Sequence, residues 1–158
     1  MKRISFIFLL SLIVNCAFSQ QIFFCDDRGE QLADTLGLPE EDYVYFYLYN
    51  PHEEEISYQI EVTFFQSQEG VAVEMCVAGG CYPITSVGEI GGSVTIQPLS
   101  LSGFMDIFLY FLSKEVDATI VTVKATNTEN AEDNDFITFD TDKAVSYTHL
   151  TLPTKRIV

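Results

Sequence analysis

Basic residues are almost missing from the body of this chain. Of its eight lysines and arginines, Lys2 and Arg3 lie at one end and Lys155 and Arg156 at the other. Between them, residues 20–143 set only Arg28, Lys114, Lys124 and Lys143 against 23 acidic residues, a net charge of −19. Such a surface repels phosphates, which excludes nucleic acid and anionic membrane faces as partners. Its plain use is solubility at a crowded extracellular surface; its sharper use is cation binding. Histidine is scarcer still. His52, the one histidine in residues 20–143, sits in the turn Asn50-Pro51-His52-Glu53 beside three glutamates and reads as a solvated surface residue. A nucleophile such as Cys25 therefore has no evident base. The cysteines lack zinc spacing, and Gly79-Gly80 and Gly91-Gly92 lack the lysine and helix start of a phosphate loop. With so many carboxylates, a pair at hydrolytic distance arises by chance and carries no weight. The composition points away from an enzyme and implies no cofactor. Tryptophan is absent altogether.

The two ends differ in character from the middle. MKRISFIFLLSLIVNCAFSQ has a basic start, an apolar run from Ile4 to Val14 too short to span a bilayer, and small residues at Ala17 and Ser19. This is a cleavable signal peptide over residues 1–19, and the product is expected to be secreted or held at the cell surface. At the other end, VSYTHLTLPT (Val145 to Thr154) is what one reading frame of a transposase-based sequencing-library adapter encodes. Residues 144–158 are accordingly set aside as foreign, and the natural chain is expected to continue past Lys143. Residues 20–143 have the length of one domain with its own core. The run Phe104 to Leu112 is apolar but short and contains Asp106, so no transmembrane helix is expected after cleavage.

Apolar residues in this middle section alternate. Val44, Phe46 and Leu48 take one face of a strand whose other face is Tyr43, Tyr45, Tyr47 and Tyr49. Ile56, Tyr58, Ile60, Val62 and Phe64 alternate with Ser57, Gln59, Glu61 and Thr63. Period two with β-branched and aromatic residues marks half-buried strands. Further strands are expected over 71–77, 81–85, 93–99, 105–112, 119–126 and 136–140, with a short first one at 22–24. Asn50-Pro51, Gly79-Gly80, Gly91-Gly92, Gly103 and the stretch 127–134 punctuate them. Glu30 to Leu38 admits one helical turn. Seven to nine short strands separated by turns predict an all-β antiparallel sandwich.

An exported chain meets oxidising conditions, and Cys76 and Cys81 flank Val77-Ala78-Gly79-Gly80, a tight turn that sets them face to face as a disulfide. Cys25 is left over, either for a partner beyond Lys143 or as a free buried thiol.

The order LYNP, ISYQIEVTF, MCVAGGCYP, a Gly-Gly approach to a strand, and TVKATNTENAEDNDFITF resembles the immunoglobulin-like or fibronectin-type β-sandwich modules of proteins exported by Bacteroidota. The Cys-turn-Cys-Tyr-Pro element is its most specific part; the tryptophan that such modules often carry before the first cysteine is missing. The resemblance implies an immunoglobulin-like sandwich acting as a spacer or adhesion module, often placed before a sorting domain read by the type IX secretion system. Partners would then be other domains of the same chain, surface glycans or proteins, and the export machinery. Two groups are candidate binding residues. Asn127, Glu129, Asp133 and Asp135, with Asn130, Glu132 and Asn134 between them, offer hard oxygen ligands for calcium, without the spacing or central glycine of an EF-hand; the same loop also reads as a charged hairpin that keeps an edge soluble. Tyr43, Tyr45, Tyr47 and Tyr49 suit stacking on sugar rings or contact with another domain, and equally suit packing inside the sandwich.

Overall fold

The computed structural model describes residues 21–38, 43–67, 71–111 and 118–143. The expected signal peptide over residues 1–19 and the adapter-like residues 144–158 lie outside the described residues. Eleven strands run in chain order: β1 (Phe23–Cys25), β2 (Thr35–Gly37), β3 (Tyr43–Asn50), β4 (Ile56–Gln66), β5 (Val71–Val77), β6 (Gly80–Ile84), β7 (Gly88–Ile96), β8 (Ser100–Leu101), β9 (Met105–Phe111), β10 (Ile120–Asn127) and β11 (Asn134–Asp140). They build two sheets. One has the order β1-β3-β9-β5-β6, with β8 also beside β3; the other has the order β2-β11-β10-β4-β7. Every pairing is antiparallel except β2 with β11, which is parallel. The strand number exceeds seven to nine because β1, β2 and β8 are edge segments of two or three residues.

Alternation places the core. Phe46 and Leu48 of β3, Val73, Met75 and Val77 of β5, and Met105, Ile107 and Leu109 of β9 face inward from one sheet. Tyr58, Ile60 and Val62 of β4, Val121, Val123 and Ala125 of β10, and Ile137 and Phe139 of β11 meet them from the other. Each large side chain buried this way contributes about 1.5–3 kcal/mol relative to exposure, which identifies this interface as the main source of stability. Phe46 joins the layers directly, with its ring 5.9 Å from Phe24 and 5.2 Å from Phe139. β9 lies between β3 and β5, so the apolar run containing Asp106 is a central strand rather than a membrane segment.

Three local expectations need correction. β4 and β10 change register between Thr122, opposite Phe64, and Val123, opposite Val62, which leaves Thr63 as an extra residue. A bulge of this kind reverses the side-chain phase beyond it. Phe64 is therefore turned outward and 47% exposed, while Phe65 packs against the core in its place. Secondly, Gly91-Gly92 does not separate strands but lies within β7, where Gly91 has φ +68° and a Cβ would overlap the side chain of Val77. A glycine is required there because β7 passes directly against the β5–β6 hairpin. Thirdly, Glu30 to Leu38 forms no helical turn: Gln31 bridges to Cys25 and Thr35–Gly37 pairs with β11.

Asn50 fixes the corner where β3 leaves its sheet. It is fully buried; its Nδ2 donates to the carbonyls of Glu54 (2.8 Å), Ile96 (3.1 Å) and Gln97 (3.2 Å), and its Oδ1 accepts from the His52 amide (3.0 Å). The β5–β6 hairpin closes through Ala78 (φ 52°) and Gly79 (φ 79°), the two positive dihedrals of a type I′ turn. Cys76 and Cys81 are directly opposed and joined by a disulfide. Replacing both cysteines by serine is expected to lower stability by roughly 2 kcal/mol through loss of the short cross-link. Ala78→Asn, by contrast, supplies a residue that tolerates the left-handed region and is expected to raise stability by about 0.5–1 kcal/mol. Urea unfolding midpoints of the two variants against the parent check both signs.

Candidate functional site

The loop proposed for calcium is built around Asp133, whose side chain is only 2% exposed. Its Oδ1 accepts from the Ile22 amide at 2.9 Å. Its Oδ2 lies 3.0 Å from Nδ2 of Asn127, 3.0 Å from Nε2 of His52 and 3.3 Å from the Tyr58 hydroxyl. Two residues on, Asp135 Oδ2 accepts from the Phe24 amide at 2.8 Å. The spacing of the two aspartates matches the spacing of alternate amides along β1. Each carboxylate thus takes a hydrogen that a further strand would have taken. The remaining groups of this edge are also satisfied: Leu32 donates to the Phe24 carbonyl (2.9 Å) and Asp26 to the Glu30 carbonyl (3.0 Å). β1 pairs with β3 in one sheet and is held by carboxylates from the other, so the loop ties the sheets together and closes an edge.

Asn127, Asp133 and Asp135 therefore already use ligand atoms within the protein, whereas Glu129 is exposed and gives its amide to Asn127 Oδ1 (2.9 Å). Among the described residues, the one group of three acidic, cysteine or histidine ligand atoms that converges is Glu74, Cys76 and Cys81, and two of its members are bound to each other as a disulfide. His52 is half-buried against Asp133 rather than solvated, and its ring partners there are a carboxylate, not a nucleophile. Burial raises the Asp135 carboxyl, against the lowering effect of the Phe24 and Phe136 amides. Burial, with Asp26 adding to it, pushes the Cys25 thiol up to about 12, which keeps it protonated and unreactive near neutral pH. The sequence offered no signal for this arrangement beyond acidic residues two apart.

The tyrosine face lies on the outside of the six-stranded sheet. Tyr47 and Tyr49 are half-buried, the latter tilted against Phe23 with centroids 5.2 Å apart. Tyr45 is 51% exposed and Tyr43 is also exposed. Neighbouring strand β9 extends them into a chain of five rings, Phe104–Tyr45–Tyr43–Phe108–Tyr110, with successive centroids 6.2, 6.0, 4.3 and 4.3 Å apart. Sequence reading found the tyrosines of β3 but not Phe104, Phe108 and Tyr110, because only the register of β3 with β9 brings the two sets together. The outer face of the other sheet is different. There Ser57 meets Thr95 (2.8 Å), Thr122 meets Thr138 (3.0 Å) and Thr63 donates to the Thr122 carbonyl (3.4 Å). One face thus carries a continuous aromatic platform, able to stack on flat apolar or cationic groups, whereas the other mixes hydroxyls with the separate exposed rings of Phe64 and Phe136.

Removing the Asp133 carboxylate leaves the Ile22 amide and the Asn127, Tyr58 and His52 polar groups without their acceptor. Asp133→Ala is expected to cost more than about 3 kcal/mol, with Asp133→Asn costing less, in equilibrium urea unfolding.

No protein-family model matches the chain, and neither does any curated protein. Solved structures do. The N-terminal domain of PorA is similar at 16% identity and a TM-score of 0.52 over 76% of this chain and 96% of that one. The ASH/PapD-like domain of human CEP192 is 10% identical, with a TM-score of 0.41 over 76% of this chain and 82% of that one. At such identities the likeness is one of fold. Together with the two packed sheets, it makes the chain an all-β, immunoglobulin-like β-sandwich.

Proposed function

We propose that this chain is a non-enzymatic module of an exported protein, acting at or beyond the cell surface as an adhesion or interaction domain. Its working surface in this reading is the aromatic outer face of the six-stranded sheet. Export rests on the N-terminal run from Lys2 to Ser19. The contact role rests on one observation: five rings run as a continuous chain along one outer face, with Phe104 61% and Tyr45 51% exposed, while the opposite outer face sets Phe64 and Phe136 apart among serine, threonine and charged residues. A module that served only as a spacer would gain nothing from so continuous a run of rings, and exposed contiguous rings carry an aggregation hazard. Self-association through this face is opposed by the charge of −19 that each copy carries over residues 20–143. The immunoglobulin-like fold supports an interaction module in general; the choice of adhesion over spacer follows from the face. Calcium has no part in this reading, because Asp133 and Asp135 already accept amide hydrogens.

The double variant Tyr45→Ser/Phe104→Ser removes the most exposed part of the platform. Parent and variant, purified over residues 20–143, are applied to peptide and glycan arrays. The expected result is binding by the parent to at least one class of probe, weakened about tenfold or more in the variant. Thermal unfolding should change little, since exposed side chains contribute little to stability. Equal binding by both proteins, or none by the parent, removes the reading.

A further inference from the structure

Asp106 lies at the centre of the ring chain. In β9 the residues Met105, Ile107 and Leu109 point into the core, so Asp106 is directed with Phe108 and Tyr110 to the aromatic side. Its register partners are Tyr45 on β3 and Cys76 on β5, and its neighbours two positions along the strand are Phe104 and Phe108. Rings and the disulfide surround it so closely that it is only 6% exposed, and its Oδ1 has no hydrogen-bond partner among the described residues. A second carboxylate, Glu74, is opposite Phe108 on β5 and accepts from the Tyr110 hydroxyl at 3.4 Å. The described basic residues are engaged elsewhere: Arg28 beside Asp27 (3.9 Å), Lys143 on the Thr35 carbonyl (3.3 Å), and Lys124 on the other sheet opposite Glu61 and Phe136. A buried carboxylate with an idle oxygen destabilises a fold.

Deepening the reading of the aromatic face, we infer that Asp106, Glu74 and the rings of Tyr43, Tyr45 and Phe108 form a recognition site for a cationic side chain, an arginine or lysine presented by a partner protein. A guanidinium or ammonium group is the one kind of protein side chain that meets both halves of this surface. Held against the rings, its positive charge compensates the buried Asp106 carboxylate from above, across a short and poorly screened distance, and its N–H groups meet the neighbouring Glu74 carboxylate. Its face or stem lies against the electron-rich rings, an attraction that strengthens as water is excluded. The same match of signs holds at long range, since the whole domain attracts basic partners. Burial first, then Glu74, raises the Asp106 carboxyl above the usual aspartate range, consistent with a charge that lacks its counter-ion. Raising a folded-state carboxyl penalises its ionised form. The penalty is therefore present above the folded value and disappears as pH falls to the unfolded one. Replacing Asp106 by asparagine removes that penalty.

The experiment uses residues 20–143 and two immobilised hexapeptides, one alternating arginine and glycine, the other alternating citrulline and glycine. Citrulline keeps the shape of arginine and loses its charge. The parent is expected to bind the arginine peptide at least tenfold more tightly than the citrulline peptide, and Asp106→Asn to abolish that preference. Thermal unfolding of Asp106→Asn at pH 7 is expected at or above the parent temperature, with the difference vanishing near pH 3. Glu54→Gln, which removes an exposed carboxylate elsewhere, should keep the preference. Equal losses in Asp106→Asn and Glu54→Gln mean diffuse attraction by an acidic protein, and they overturn the site. Tighter binding to neutral glycans, with no preference between the peptides, overturns cation recognition but leaves the aromatic face as the binding surface. The face itself fails if the parent binds no probe, or if Tyr45→Ser/Phe104→Ser binds every probe as the parent does.

Discussion

The carboxylate of Asp133 holds the architecture in place. A sandwich of two short-stranded sheets has two hazards: its layers can slide, and its first strand presents an open edge. Asp133 answers both at once. It sits in the loop after β10, belongs to the five-stranded sheet, and accepts the Ile22 amide at the entrance to β1, which belongs to the other. Asp135 repeats the contact one amide pair further on. Around the same carboxylate, Asn127 sets the loop, Tyr58 ties in β4 and His52 the turn after β3. Four separated stretches of chain therefore converge on one buried side chain. Without it, the entrance to β1 at Ile22 would lose its tie to the other sheet, and Phe24, which packs on Phe46 in the core, would rely on Asp135, Leu32 and the pairing with β3.

The strands were legible because period-two alternation is a direct imprint of a sheet with one buried face. That imprint is local, and it located β3, β4, β5, β9, β10 and β11 from their own residues. It failed where the cause is not local. At Thr63 the bulge is a property of the pairing between β4 and β10, and nothing in the alternation of IEVTF announces that Phe65 rather than Phe64 enters the core. At Gly91-Gly92 two glycines that resemble a turn are needed instead because another strand crosses close by. β2 is too short for any period to be read, and it forms through parallel pairing with β11, far along the chain.

Acidic residues were hardest to read, for a similar reason. A carboxylate in sequence suggests a solvated surface or a metal ligand. Asp133 and Asp135 are not solvated charges; they accept amide hydrogens in place of a missing strand, a role that exists only once β1 has been laid beside the loop. The tyrosines of β3 were visible as a stripe, but a stripe on one strand cannot be told from a core face. Their outward position follows from Phe46 and Leu48 taking the interior, and their extent follows from the register with β9.

Asp106 and Asp133 make an instructive pair, because the same side chain is buried to nearly the same degree in each with opposite outcomes. Asp133 meets an amide, an amide nitrogen of a side chain, an imidazole and a hydroxyl, so its desolvation is offset several times over. Asp106 meets rings and a disulfide, has an oxygen with no partner, and lies near another carboxylate. Selection for stability alone would replace Asp106 with a residue that packs as well and carries no charge, since core and near-core sites accept such changes readily. The fold does not recover this cost from within, and the proposed cationic partner would offset it from outside. The contrast between a saturated carboxylate at the seam of the sheets and an unsaturated one beneath an exposed aromatic platform separates the part of this domain that holds it together from the part proposed for contact.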